Sequence, residues 1–321
     1  MAMLEGRVID LLMEAQYNFP LVDRPFLELA NRIGASEGWV IDTLRALVKA
    51  GVVRRIGALV NYRARGMESA LVALRVPEAL VDEVASYINR DRQVTHNFLR
   101  AGSLYNIWYV TKAPTRAEVE SKVLDVVNRF KISDYVILYS ERTFKIDVKF
   151  DLYRGVSRAK RLILPENVPD VKALNIPQGF LDMVKSIGIV EEPFREIASR
   201  LNMAASKVIE TIVRLREVGV LRDFYATLDP DAVGFRSNAM VNMANVDCLK
   251  VAEVDEATHV VKRTPVPGRW RYDCYFMIHG RSDELVNSTI ADIARRLNVR
   301  DYVALFSVRN LLSDMARRLE Q

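Results

Sequence analysis

The sequence predicts an α+β protein in which a winged helix-turn-helix followed by a ferredoxin-like βαββαβ domain occurs twice in tandem. Three observations carry this: an internal repeat, a helix-turn-helix spacing at the start of each copy, and a strand and helix order of β-α-β-β-α-β after it. The repeat is found first, because LVKAGVVRRIGALVNYRARGM around Gly51 aligns without a gap on LREVGVLRDFYATLDPDAVGF around Gly219. The same offset pairs Pro25, Phe26, Ala30, Arg32 and Leu47 with Pro193, Phe194, Ala198, Arg200 and Leu215. Further on the copies drift, and Thr95-His96 answers Thr258-His259 with the second copy five residues shorter.

PFLELANRIG and PFREIASRLN place apolar residues at helical spacing. SEGWVIDTLRALVKAG and AASKVIETIVRLREVG resume that spacing after a short turn, with Ser36 and Gly51 as start and stop signals in the first copy. Two helices, a tight turn and a short extended GVVRR or GVLRD read as a winged helix-turn-helix. The strand SALVALRV comes next, then a helix over EALVDEVASYINR, strands over VTHNFLR and YNIWYVTK, a helix over TRAEVESKVLDVVNRF and a strand over YVILYSERTFKI. The second copy repeats the order with NAMVNMANV, a shortened helix near Leu249–Asp255, HVVKR, YDCYFMIHG, SDELVNSTIADIARRL and YVALFSVRNLL. This divides the chain into a winged helix-turn-helix over 1–66, a βαββαβ domain over 67–150, a linker over 151–178, and the second pair over 179–235 and 236–321. The linker carries prolines and a basic cluster of Arg154, Arg158, Lys160 and Arg161, read as a solvated connector.

With 321 residues and half of them apolar, each domain has material for its own core. No stretch approaches the roughly 20 apolar residues of a bilayer span, so a cytoplasmic protein without membrane contact is expected. Cys248 and Cys274 form no metal-ligand or redox spacing and are read as reduced thiols. A formal charge of +5 favours polyanionic partners, which include nucleic acid and small polycarboxylates alike.

The architecture resembles the family of the leucine-responsive regulatory protein and the asparagine-synthetase regulator, which binds DNA. Fold alone does not carry function, so the side chains decide. A recognition helix needs cationic or amide side chains near its start. The first copy has Glu37, Trp39 and Asp42 there, and the second only Lys207 before Glu210. Nucleic acid is therefore an unfavoured partner, and a DNA-binding, heme-responsive regulator is the second reading.

Two of the three histidines occupy equivalent places in the repeats, giving His96-x-x-x-Arg100 and His259-x-x-x-Arg263. Positions four apart on a strand share a face, so each imidazole and guanidinium can meet one ligand. The bland alternative is packing at a sheet surface. The following strands supply Tyr105, Trp108 and Tyr109, then Trp270, Tyr272, Tyr275 and Phe276. Aromatic faces suit a flat macrocycle, and alternation sends about half of them to the core.

These stretches resemble the siroheme decarboxylases, enzymes of regulator-like fold from the alternative heme and heme d1 routes. GVVRRIGALVNYRARG, VTHNFLR and YNIWYV look like one subunit type of that family, and THVVKRTPVPGRWRYDCYFMIHGRS like the other, so the usual two-subunit enzyme is fused here into an internal pseudo-dimer, with a homodimer of the fused chain left open. The resemblance implies loss of carbon dioxide from the acetate side chains at ring positions 12 and 18 of siroheme, giving didecarboxysiroheme. It implies no required cofactor and no metal of the protein's own, the iron belonging to the substrate. His96 and His259 become candidate general acids or ligands of that iron, the two roles being open, with Arg100 and Arg263 beside them. Arg54, Arg55, Arg269 and Arg271 are candidate carboxylate clamps, and Tyr105, Trp108, Trp270 and Tyr272 candidate pocket walls. His279, in MIHG, is read as structural. One departure stands out: Arg54-Arg55-Ile56-Gly57 of the first half becomes Arg222-Asp223-Phe224-Tyr225 in the second, so two potential pockets are not equivalent.

Overall fold

The computed structural model describes residues 6–159 and 163–312. In chain order the elements are α1 (Arg7–Tyr17), α2 (Pro25–Ile33), α3 (Glu37–Lys49), β1 (Val53–Val60), β2 (Glu68–Leu74), α4 (Val81–Ile88), β3 (His96–Ala101), β4 (Ile107–Ala113), α5 (Arg116–Arg129) and β5 (Tyr135–Lys145). Short strands β6 (Phe150–Asp151) and β7 (Val156–Ser157) and helix α6 (Phe180–Val184) lead to α7 (Pro193–Leu201), α8 (Ala205–Glu217), β8 (Leu221–Leu228), β9 (Ser237–Met243), α9 (Cys248–Ala252), β10 (Thr258–Arg263), β11 (Cys274–Gly280), α10 (Asp283–Arg296) and β12 (Tyr302–Asn310). Two compact units result, and each draws on both halves of the repeat. One holds the chain up to Arg65, Ile146–Arg236 and Gly280–Ser282, and the other Gly66–Lys145, Ser237–His279 and the chain from Asp283 on.

The first unit contains both helix-turn-helix elements. Pro25 and Pro193 open α2 and α7, where a missing N–H costs nothing and a fixed φ is already helical. Gly34 ends α2 at φ 65°, whereas Asn202 takes the same left-handed place after α7 at φ 51°. The Ser36 hydroxyl accepts from the Trp39 N–H and caps α3; Ala204, its counterpart before α8, makes no such bond. Phe26, Leu29, Leu44, Phe194, Ile197 and Leu215 share one core.

The two wings pair with each other. β1 runs antiparallel to β8 with Gly57 opposite Tyr225, and the copies exchange backbone bonds at its ends, Asn61 N–H to Val220 O and Asp229 N–H to Val52 O, both 2.9 Å. A Cβ on Gly57 would lie 2.3 Å from the Lys185 carbonyl oxygen, so only glycine allows the segment after α6 to approach. That approach is held by the Ile187 N–H donating to Ile56 O at 2.9 Å. Nearby the buried Lys149 ammonium sits between Asp147 and Asp223, at 3.0 and 2.5 Å, and Arg216 completes the network at 2.8 Å from Asp223. Of the linker's basic cluster, Arg154 ion-pairs with Asp151 at 3.1 Å, while Lys160 and Arg161 lie outside the described residues.

The second unit contains both βαββαβ patterns. Each four-stranded sheet has the ferredoxin-like order, β5-β2-β4-β3 and β12-β9-β11-β10. The sheets join at both edges, through β3–β12 and β5–β10, and the eight strands close on themselves. Alternation then sorts the side chains. Ala70, Val72, Leu74, Ile107 and Tyr109 face outward onto α4 and α5, whereas Leu71, Ala73, Trp108, Val136 and Leu138 face the inside with Met240, Tyr275 and Leu305.

Cys248 at the start of α9 and Cys274 at the start of β11 form a disulfide, their Cα atoms 5.7 Å apart. The expectation of two reduced thiols is thereby corrected. Sequence spacing gave no motif because the two cysteines meet only through the packing of α9 over the sheet.

Candidate active site

His96 and His259 come together inside the second unit, with ring centroids 6.3 Å apart and the planes at 78°. The two strands that carry them deliver them differently. β3 pairs in even register with β4, His96 opposite Val110 and Phe98 opposite Trp108, so His96, Phe98 and Arg100 share one face. The Phe98 ring lies between the other two, 6.5 Å from the His96 ring and 4.9 Å from the Arg100 guanidinium carbon. Phe98 was not singled out from sequence, although the alternation His96, Phe98, Arg100 contains the signal.

On β10 the register with β11 slips between Thr258 and Val261, and His259 takes φ 31°. A bulge re-aims the side chain of its extra residue, and a non-glycine residue in left-handed backbone is held there by its surroundings at some cost.

The two arginines obey the repeat. The Arg100 guanidinium donates to the Leu305 carbonyl oxygen at 2.9 Å, and Arg263 to that of Leu138 at 3.1 Å. Both are buried, at 6% and 8% exposure. Burial pulls Arg100 down to about 9, with no carboxylate among the described residues to offset it. A cation in this state favours any anion that reaches it.

His279 stands at the sixth position of β11, as Lys112 does in β4, and the two seven-residue strands share one burial pattern. Its Nδ1 is sealed from solvent. Burial, the Arg100 charge and the His96 charge together push its imidazole down to about 4, so it is neutral at pH 7. All three histidines of the chain therefore belong to one unit, and one of them, His96, bears on His279.

The aromatic residues form a packed stack. Trp108 and Trp270 are 5.2 Å apart, Tyr105 lies 6.0 Å from Trp270, and Tyr272 lies 5.1 Å from Trp270. Tyr105, Trp108 and Trp270 are buried and Tyr272 is half-buried. Their polar atoms are engaged: the Trp108 N–H donates to Tyr105 O at 3.0 Å, the Trp270 N–H to the Tyr275 hydroxyl at 2.8 Å, and the Tyr105 hydroxyl to Asp134 at 3.0 Å. Burial and Asp134 raise the Tyr105 phenol to about 12. Arg269 and Arg271 are exposed at the rim of this loop, Arg269 donating to Tyr135 O at 3.2 Å and Arg271 ion-pairing with Asp301 at 2.7 Å.

Arg54 and Arg55 belong to the other unit. Arg54 is exposed and holds Asp229 at 2.7 Å; burial favours the protonated Asp229 carboxyl, but the Ala232 N–H and Arg54 outweigh it and hold the group below its ordinary range. Arg55 is half-buried and makes a long contact of 3.4 Å to Lys185 O. At the start of α3, Glu37 is ion-paired with Arg24, so the first recognition-helix position presents an engaged carboxylate where phosphate contact needs a cation.

Fold and site together define an AsnC-like protein with helix-turn-helix elements. The AsnC-like ligand binding domain matches residues 64–145 and 232–311, and the siroheme decarboxylase NirDL-like HTH domain matches residues 9–54 and 183–222. Among curated proteins, the siroheme decarboxylase of Hydrogenobacter thermophilus is 32% identical over 92% of this chain and 89% of its own. The siroheme decarboxylase NirDL subunit of Paracoccus pantotrophus is 32% identical over 83% of this chain and 82% of its own. A siroheme decarboxylase alpha subunit from Desulfovibrio desulfuricans, 33% identical, aligns with 46% of this chain and 82% of its own. The crystal structure of NirDL in complex with an iron-uroporphyrin III analogue superposes with a TM-score of 0.64 at 27% identity, covering 95% of this chain and 92% of that one. The chain belongs to the siroheme decarboxylase family. Among the described residues no helix is long and apolar enough to cross a membrane.

Proposed function

We propose that the chain decarboxylates siroheme, removing the acetate carboxyls at ring positions 12 and 18 to leave methyl groups. The observation that carries this reading is the facing pair His96 and His259, flanked by buried guanidinium groups on the same strands. Each step breaks the bond between the methylene carbon and the carboxyl carbon. Carbon dioxide leaves, the electron pair stays on the methylene carbon conjugated with the macrocycle, and a proton from a histidine completes the methyl group. The step is redox-neutral, so it needs no oxidant or reductant and no cofactor beyond the substrate itself.

His96 suits the proton transfer, because imidazole titrates near neutral pH and this ring is exposed to an incoming ligand. His259 faces it and handles the second proton. Arg100 and Arg263 meet carboxylates with a planar fork that ammonium cannot match. Arg269 and Arg271 supply further cations, released from Tyr135 O and Asp301. Trp108 and Trp270, with Tyr105 and Tyr272, stiffen the strands behind the site. Arg54 and Arg55 are expected to contribute least, since one is spent on Asp229 and the other on the Lys185 carbonyl after α6. The fused chain acts as an internal pseudo-dimer.

The test is anaerobic incubation of the purified protein with siroheme, read by mass spectrometry. Loss of two carbon dioxide units is expected, and His96→Ala abolishes it. Unchanged siroheme together with salt-sensitive binding to duplex DNA would overturn the reading in favour of a regulator.

A further inference from the structure

The disulfide stands where the first half has an apolar pair. Helices α4 and α9 open on Val81-Asp82-Glu83-Val84-Ala85 and Cys248-Leu249-Lys250-Val251-Ala252, and β4 and β11 are seven-residue strands that open on Ile107 and Cys274. Val81 and Ile107 are therefore the counterparts of Cys248 and Cys274, and both lie buried in one apolar cluster. The chain has two cysteines, and both stand at this one place. The bond spans a sequence separation of 26, and every second-half candidate residue lies inside it: His259 and Arg263 on β10, then Arg269, Trp270, Arg271 and Tyr272. The helix that it anchors, α9, has five residues against the eight of α4, too few to be stable by itself. Beyond the bond, α9 is held by the buried Val251 and Ala252 and by the Lys145 ammonium, which donates to Ala252 O and Val254 O at 3.2 and 2.8 Å. Both sulfurs are buried, but Asp247, Leu249 and Lys250 around Cys248 are exposed, so a local opening of α9 brings the bond to solvent.

We infer that the Cys248–Cys274 bond is a redox latch on the second half of the site. The inference rests on the decarboxylase reading and adds a control that reading lacks. A dithiol attacks the bond as its thiolate, passes through a mixed disulfide and leaves as a cyclic disulfide; two electrons and two protons end on the Cys248 and Cys274 thiols. Closed, the latch fixes both ends of the segment that carries His259 and Arg263. Open, α9 loosens and the segment keeps only its strand pairing. Misplacing a catalytic group by about 1 Å costs up to roughly a hundredfold. The first half, built on Val81 and Ile107, has nothing for a dithiol to open. Reduction is therefore expected to slow the second loss of carbon dioxide about tenfold and leave the first within about twofold, so that singly decarboxylated siroheme accumulates.

The full-length protein is compared before and after dithiothreitol. Alkylation of the denatured chain, read by mass, is expected to add no label before treatment and two after it; two labels before treatment overturn the latch. Peptide-resolved hydrogen exchange over 249–273 is expected to quicken at least about tenfold on reduction while 82–106 stays unchanged, and equal exchange in the two states overturns it. Cys248→Val/Cys274→Ile rebuilds the first half's pair and is expected to lose the dithiol response in both exchange and product ratio; a response that persists places the dithiol's action elsewhere and overturns the inference. Cys248→Ala/Cys274→Ala is expected to show the reduced pattern without dithiol, and the oxidised pattern there would overturn it too. If the Ala variant does not fold, the Val/Ile variant decides. Exchange separates the two readings: protein that leaves siroheme unchanged yet shows the exchange difference overturns only the decarboxylase. An unchanged product ratio on reduction, in protein that does turn siroheme over, overturns the latch alone.

Discussion

In the first half, His96 stands on an even strand with Phe98 and Arg100 on the same face; in the second, His259 stands on a bulge at φ 31°. The inward row of the first half ends in Lys112 and that of the second in His279. Duplication kept the four residues His96, Arg100, His259 and Arg263 and let their settings diverge. Two decarboxylations on one substrate need not be served by two identical acids, and the asymmetry gives each ring its own backbone setting.

The largest effect expected from breaking this comparison is on turnover. His96→Ala is expected to cost at least about a hundredfold in siroheme decarboxylation, the range in which a lost acid shows. His259→Ala is expected to cost about tenfold, because its strand lacks the aromatic platform that Phe98 provides. Equal losses would show that the halves work as one unit.

Next comes pH. The folded His279 pKa of about 4 lies below the ordinary value of 6.5, so below 6.5 the unfolded chain binds a proton that the folded chain refuses. This stabilising contribution is full above 6.5 and is lost as pH falls toward 4. Thermal melts are therefore expected to show a steeper loss of Tm between these values in wild type than in His279→Gln.

Gly57→Ala sharpens the comparison of the wings. Its Cβ would meet backbone at 2.3 Å, so about 2 kcal/mol or more of stability is expected to go, as for an overpacked site. Tyr225→Phe at the paired position loses only the 3.2 Å bond to Val148 O and about 1 kcal/mol. Urea denaturation distinguishes them.

The smallest effects sit at the caps. Ser36→Ala is expected to cost about 1 kcal/mol, and Ala204→Ser to gain about half that, since α8 lacks the bond α3 has.

Periodicity made the helices of both copies and the strand order after them legible, because patterns of 3.6 and 2 residues survive drift. The scarcity of histidine and the repeat together exposed His96 and His259. The same logic set His279 aside, since a filter for matched pairs passes over a residue whose counterpart is Lys112. The bulge at His259 has no glycine to announce it, being imposed by pairing with β5 and β11. The Cys248–Cys274 bond depends on a helix crossing a sheet, which no local pattern reports. Gly57 illustrates the reverse: Arg-Arg-x-Gly invites a ligand-binding reading, and the structure accounts for the glycine by the carbonyl of Lys185.

The closed ring of eight strands also bears on how the protein responds to dilution. Where two such sheets sit on separate polypeptides, their edge-to-edge pairing obeys mass action and is lost as concentration falls. Here β5 meets β10 and β3 meets β12 within one chain. Tethering sets the local concentration of each edge for the other on the order of millimolar, whatever the abundance of the protein. A cell holding few copies would therefore keep the same fraction of assembled sites as one holding many.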